Sequence, residues 1–408
     1  MDDEIGLGGI DEAREQLAAL QRAIDSGHPD RAPTAARNLG LLLKKQGDFA
    51  GARSAFQRAI DSGHLDAAPM AANDLGVLLS DQGDVEGARR AYQRAIDSGH
   101  LDAAPVAAVN LGYLLSDESD FGGARSAYQR AIDSGHLDAA PLAANDLGVL
   151  LSDQGDVEGA RRAYQRAIDS GHLDAAPKAA VNLGRLLEKQ ADFAGARMVY
   201  QHAIDSDHVH VAPMAANHLG RLLSDHGEIG GARGAYQRAI DSGHPDQAPI
   251  ATYNLGTLLS DQGDVEGARV ALQRAIDSGH PEAAPKAAAN LGHLLSDHGI
   301  GGARGAYQRA IDSGHVDVAP IAAVSLASWL EGMGDVGGAW SAYQGVIDSG
   351  HPDAAPTAAY NLGSLLSDLG DIAGARSAFQ HAIDSGHPAV APKAAEKLRL
   401  LLEGQRGV

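Results

Sequence analysis

Eleven prolines recur at a nearly constant interval: Pro33, Pro69, Pro105, Pro141, Pro177, Pro213, Pro249, Pro285, Pro320, Pro356 and Pro392. Nine of the ten steps are 36 residues and one is 35. A period of this size marks a solenoid, in which each copy is too small to bury its own apolar face and must stack on the next. The usual expectation that 408 residues divide into two or three separate cores therefore does not apply. The short step is a one-residue deletion in Asp297-His298-Gly299-Ile300-Gly301-Gly302, where other repeats read Asp-Gln-Gly-Asp-Val-Glu-Gly.

The repeat that begins at Pro69 shows what one copy contains. Asp66 and Pro69 read as a helix start, because proline is tolerated in a first turn whose N–H groups have no helical partner. Ala71, Ala72, Leu75, Leu78 and Leu79 follow at helical spacing. Gly83 supplies a left-handed stop, and Asp84 caps a second helix that buries Val85, Ala88, Ala91, Tyr92, Ala95 and Ile96. That helix ends at Ser98-Gly99-His100. So short a turn forces the two helices antiparallel, and small residues such as Gly76 and Ala88 let their axes approach. Only 4% of the chain is aromatic, so the core must be Ala, Leu and Ile rather than rings.

Leu75-Gly76 followed by Ala88, Tyr92 and Ala95 at fixed offsets resembles the tetratricopeptide repeat signature. The resemblance covers ten repeats from Pro33 to Ala391. The repeat is longer than the usual 34 residues, Ala72 replaces the common first-helix aromatic, and Gly-His replaces the closing proline; these departures resemble Sel1-like repeats. The expected fold is an all-α solenoid of antiparallel helix pairs, wound as a right-handed superhelix. Residues 1–32 are expected to hold an N-terminal capping helix over Asp11 to Ser26, and residues 392–408 a C-terminal one whose Glu396, Lys397 and Arg399 suit an exposed face.

At about 100° per residue, the apolar positions 2, 3, 6, 9 and 10 after each proline share one arc, and positions 1, 5, 8 and 12 form a separate stripe. The resemblance implies that this stripe lines a concave groove. Position 5 carries Asn38, Asn110, Asn182, Asn254, Asn290 and Asn361, with Asp74, Asp146, His218 and Ser325 in other repeats. A row of amides can pair with the backbone of an extended peptide, or with neighbouring helices inside the stack. Met70, Val77, Val106, Tyr113, Leu142 and Val149 make an apolar tract beside it, either covered by a partner or packed on the next helix. Lys178, Arg185 and Lys189, with Arg221 in the next repeat, are a candidate clamp for a carboxylate, or a solvated face paired with nearby Asp. The carboxylate-clamp pattern of chaperone-binding repeats is not reproduced in register.

Eleven histidines, His28 to His387, occupy one equivalent place per repeat. Metal ligands must converge on one ion, so these read as helix-end residues meeting terminal carbonyls. The loop Asp81 to Glu86 lacks the spacing of a calcium loop and is accounted for as a stop and a cap. No metal or cofactor is expected. The repeats from Pro69 and Pro141 differ only at Met70 and Leu142, whereas catalysis needs one unique constellation; an enzyme is not expected. The most individual repeat, from Pro320, holds Ala327 in place of Gly and both tryptophans, Trp329 and Trp340, which reads as local repacking or a binding hot spot.

A formal charge of −20 argues against nucleic acid and anionic membranes as partners. The absence of Cys excludes disulfides and thiol chemistry. The start lacks a signal-peptide pattern and no segment reads as a membrane span, so a soluble, cytoplasmic chain is expected. With 26 Arg against 7 Lys, the composition fits a GC-rich bacterial genome. The expected function is a non-enzymatic scaffold holding a protein or peptide partner in the groove. The alternatives are self-association through the end repeats, or the sensor arm of a bacterial signalling complex.

Overall fold

The computed structural model describes residues 4–406, with side chains placed for residues 14–403. A lone helix α1 (Glu4–Asp25) precedes the pairs, and α22 (Ala391–Arg406) follows them. The first helices of successive pairs are α2 (Arg31–Lys45), α4 (Ala67–Asp81), α6 (Ala103–Asp117), α8 (Ala139–Asp153), α10 (Ala175–Lys189), α12 (Val211–Asp225), α14 (Gln247–Asp261), α16 (Ala283–Asp297), α18 (Val318–Gly332) and α20 (Ala354–Asp368). Their second helices are α3 (Phe49–Asp61), α5 (Val85–Asp97), α7 (Phe121–Asp133), α9 (Val157–Asp169), α11 (Phe193–Asp205), α13 (Ile229–Asp241), α15 (Val265–Asp277), α17 (Ala303–Asp312), α19 (Val336–Ser349) and α21 (Ile372–Asp384). Both capping helices begin before the residues the sequence suggested, α1 by seven positions and α22 by one.

In α4 and α5 the expected apolar residues are buried, Ala71, Leu78, Ala88 and Ala95 among them; Val85, at the helix start, is only half-buried. Each fully buried leucine of this kind contributes about 1.5–3 kcal/mol. The helices interlock where Gly76 meets Tyr92: a Cβ on Gly76 would stand 2.5 Å from the Tyr92 ring. Gly40 over Phe56, Gly112 over Tyr128, Gly220 over Tyr236 and Gly363 over Phe379 repeat the arrangement. In the divergent repeat, Ala327 takes the glycine position and Tyr343 remains fully buried, its hydroxyl donating to Glu331 Oε2 at 2.9 Å.

The turns follow from the same residues in most copies. Gly83 adopts φ +75°, and Asp84 N–H donates to Leu79 O at 2.9 Å, which closes α4. Asp84 then caps α5 by accepting from Gly87 N at 2.9 Å. At the other end of the repeat the histidines correct the sequence reading. His100 Nδ1 accepts from the N–H groups of Asp102 at 3.2 Å and Ala103 at 3.1 Å, so it caps the start of α6 instead of meeting the carbonyls that end α5. The Asp102 side chain makes no cap bond of its own. With Nδ1 acting as acceptor, the proton sits on Nε2, which faces Asp66 of the preceding repeat at 3.3 Å.

Two compact units emerge, Met1–Val211 and Ala212–Val408, although no change of composition marks a linker. Within each, first helices pack on their own second helices and on the first helices of adjoining repeats, as α4 does on α5 and α6, and α16 on α17 and α18. Among the described helices, successive second helices do not pack on one another. Long side chains reach across that gap: Arg130 comes within 3.7 Å of Asp97, and Arg166 donates to Ile132 O at 3.4 Å. A stack closed on one side and splayed on the other curves toward the closed side, so first helices line the inner face of each unit.

Candidate functional site: the inner face of the first helices

Positions 1, 8 and 12 after the prolines make the open part of the stripe. Position 12 is exposed in each repeat, and positions 1 and 8 are exposed in some and half-buried in others, Met70, Val77 and Leu142 among the latter. Val106 (37% exposed) and Tyr113 (46%) on α6 stand beside Val149 (38%) on α8, and Leu41 (39%) occupies the same offset on α2. Tyr113 is anchored: its ring packs edge-on against Tyr128 with centroids 5.8 Å apart, and its hydroxyl donates to the Asp146 carboxylate of the next repeat. Burial pushes the Asp146 carboxyl up, against the opposing pull of the Tyr113 hydroxyl, Asn145 and Lys178.

Position 5 lies at the seam between first helices. Asn110 Nδ2 donates to Asn73 Oδ1 at 2.9 Å and Asn182 Nδ2 to Asn145 Oδ1 at 3.0 Å, each reaching back one repeat. Asn290 Nδ2 reaches Tyr253 OH and Thr257 Oγ1, both at 3.3 Å. These three amides thus each direct a donor inside the stack. Arg37 uses the same seam, donating to Asp74 at 2.6 Å. Asn38 is exposed, and Asn254 and Asn361 are half-buried.

The expected clamp residues Lys178, Arg185 and Lys189 are all exposed on one face of α10. Lys178 Nζ is bound to Asp174 at 2.7 Å, and that carboxylate also faces His208 at 3.2 Å; the Lys178 hydrogen bond holds the Asp174 carboxyl below its ordinary range. Arg221 lies on α12, in the other compact unit, 3.6 Å from Asp225.

Two features escaped the sequence reading. Leu65, Leu101, Leu137 and Leu173, in the turns between pairs, are 84–87% exposed, and their 36-residue recurrence was the available signal. The second is a recess of about 560 Å³ in the second unit, between α16, α18 and α20. It exists because α18 carries Ser325, Ser328 and Gly332 at positions 5, 8 and 12 of the stripe, where α10 has Asn182, Arg185 and Lys189. Nothing stands within 4 Å of a Cβ built on Gly332. Trp329, Met333, His293 and Asp297 complete much of its wall. His293 Nδ1 shares a 3.1 Å hydrogen bond with the Tyr307 hydroxyl, and burial lowers the proton affinity of the imidazole. Three small residues at stripe positions of one helix were the legible sign.

Among the described residues, no helix is long and apolar enough to cross a membrane, and no three His, Asp or Glu side chains are grouped as a metal site requires. Stacked helix pairs with a shared exposed inner face define a helical-repeat solenoid. The chain belongs to the tetratricopeptide repeat family, whose sequence signature matches residues 2–72, 37–108, 73–144, 109–171, 145–208, 217–288 and 356–385. Among solved structures it is similar to c5321, a protective antigen of uropathogenic Escherichia coli strains displaying an SLR fold, at 18% identity, 95% of this chain, 90% of that one and a TM-score of 0.51. BtubC (BKLC) from P. vanneervenii matches at 21% identity over 48% of this chain and 91% of that one, with a TM-score of 0.41. Pseudomonas aeruginosa pilF matches at 20% identity over 52% and 91%, also with a TM-score of 0.41. No curated protein matches the chain.

Proposed function

We propose that the protein is a non-enzymatic scaffold that holds an extended segment of a partner protein along the inner face of its first helices. Repeats of this family generally mediate protein–protein interaction. The observation that carries the reading is the apolar stripe in the first unit: Val106, Tyr113 and Val149 stand open on adjoining helices whose core-facing leucines, Leu111, Leu114, Leu147 and Leu150 among them, are buried. A preformed, stacked surface binds with little reorganisation cost, and water-exposed apolar side chains held in a row gain by being covered. The test uses the full chain as bait, with cross-linking to identify what binds. Val106→Glu with Val149→Glu should weaken capture of that partner at least about tenfold while circular dichroism stays unchanged. Full retention of the partner by the double variant removes the inner face as the binding surface.

A further inference from the structure

The recess on α18 has a chemistry of its own. Asp297 is the one carboxylate on its wall, and no lysine or arginine lines it. Partial desolvation lowers the proton affinity of His293, against the opposing pull of Asp297. The remaining polar groups, Ser296, Ser325, Ser328, Asn361 and the Tyr307 hydroxyl, all offer oxygen acceptors, and Trp329 contributes an indole ring. An anion entering here would meet Asp297 with no countercharge, in a chain already at −20. An aliphatic group would strip water from these acceptors and return no hydrogen bonds. A guanidinium answers both demands, because it is planar, always charged, carries five N–H donors and stacks on aromatic faces. We propose that this recess receives an arginine side chain of the partner segment, so that the second unit selects basic sequences. The assignment rests on reading the inner face as the segment-binding surface.

Trp329 provides the reporter. Trp340→Phe leaves it as the only tryptophan of the two in the chain, and this background is titrated with short capped peptides of alternating alanine and arginine, or alanine with lysine or glutamate. The arginine peptide should give a saturable change in Trp329 emission, the lysine peptide a response about fivefold weaker in affinity, and the glutamate peptide none. Asp297→Asn should weaken the arginine peptide about tenfold. Ser328→Tyr, a residue the chain itself carries at this offset as Tyr113, should fill the recess and abolish the response with the helical signal intact. Equal responses to arginine and glutamate peptides overturn the proposal, as does full binding by Ser328→Tyr; equal affinities for arginine and lysine overturn the guanidinium assignment. The Val106 and Val149 variants sit in the other unit. Loss of the arginine response with partner capture still dependent on them removes the recess assignment alone, and the reverse outcome removes the general reading alone.

Discussion

At the scale of single residues, the repeat is held by backbone conformations that most side chains resist. Most turns after a first helix place glycine at positive φ, as Gly83 and Gly155 do at +75° and +78°. Ser119 (φ +61°) and Ala191 (φ +58°) occupy the same turn without that freedom. The stack imposes the turn and the local residue bears the strain, which for an L-residue costs about 1–2 kcal/mol. Part of this is offset because glycine loses more entropy on folding. Ser119→Gly and Ala191→Gly should therefore each stabilise the chain by about 1 kcal/mol, read as a rise in the urea midpoint. Gly83→Ala should lower that midpoint by a similar amount, and a neutral result for all three variants would show that the turn relaxes freely. The need for a left-handed residue was legible from the recurring glycines. That serine and alanine adopt it was not, because no local preference puts them there.

At the scale of the helix, most starts depend on one side chain. His136 Nδ1 accepts from Asp138 N at 3.2 Å and Ala139 N at 3.1 Å. His136→Ala should cost about 1 kcal/mol, as loss of a cap does, while His136→Asn retains an acceptor and recovers part of that cost; thermal midpoints of the two variants decide it. The deletion near Gly299 shows the second-helix cap by its loss. Where Asp371 accepts from Gly374 N at 2.9 Å and starts a 13-residue helix, α17 has no side-chain cap, begins after Gly302 at φ +110°, and is 10 residues long. Inserting Asp between Gly299 and Ile300 recreates the Gly370-Asp371-Ile372 order. It should lengthen α17 by about one turn and stabilise it by about 1 kcal/mol, seen as added helical ellipticity and a higher midpoint. The sequence located this deletion but not its consequence, since loss of one capping residue unwinds the turn that follows. Helix pairing and the core arc were legible because 3.6-residue periodicity decides them. The use of Asn110 and Asn182 was not, because their partners Asn73 and Asn145 lie 37 residues away and only stacking brings them together.

At the scale of the whole molecule, the same aromatic is buried in second helices of both compact units, so one condition should act on all of them together. Tyr92, Tyr164, Tyr236 and Tyr307 are each pushed up to about 12 by burial, with the carboxylates of Asp81, Asp153, Asp225 and Asp297 adding to the rise. In the unfolded chain these phenols ionise near 10.0. Between the two values the unfolded state binds fewer protons than the folded one, so raising the pH draws the equilibrium toward unfolding. The stabilising contribution is complete below pH about 10 and is lost as pH rises through about 12. Tyrosinate absorbance and loss of helical ellipticity should therefore appear together in that window. Lysine deprotonation and growing negative charge act in the same direction, so a variant must separate them. Phe56 and Phe379 already fill the equivalent place and are fully buried, which shows that the fold accepts the ring without its hydroxyl. Replacing the four tyrosines by phenylalanine should move the alkaline transition upward in pH. Unfolding at an unchanged pH would assign the transition to net charge instead of the buried phenols.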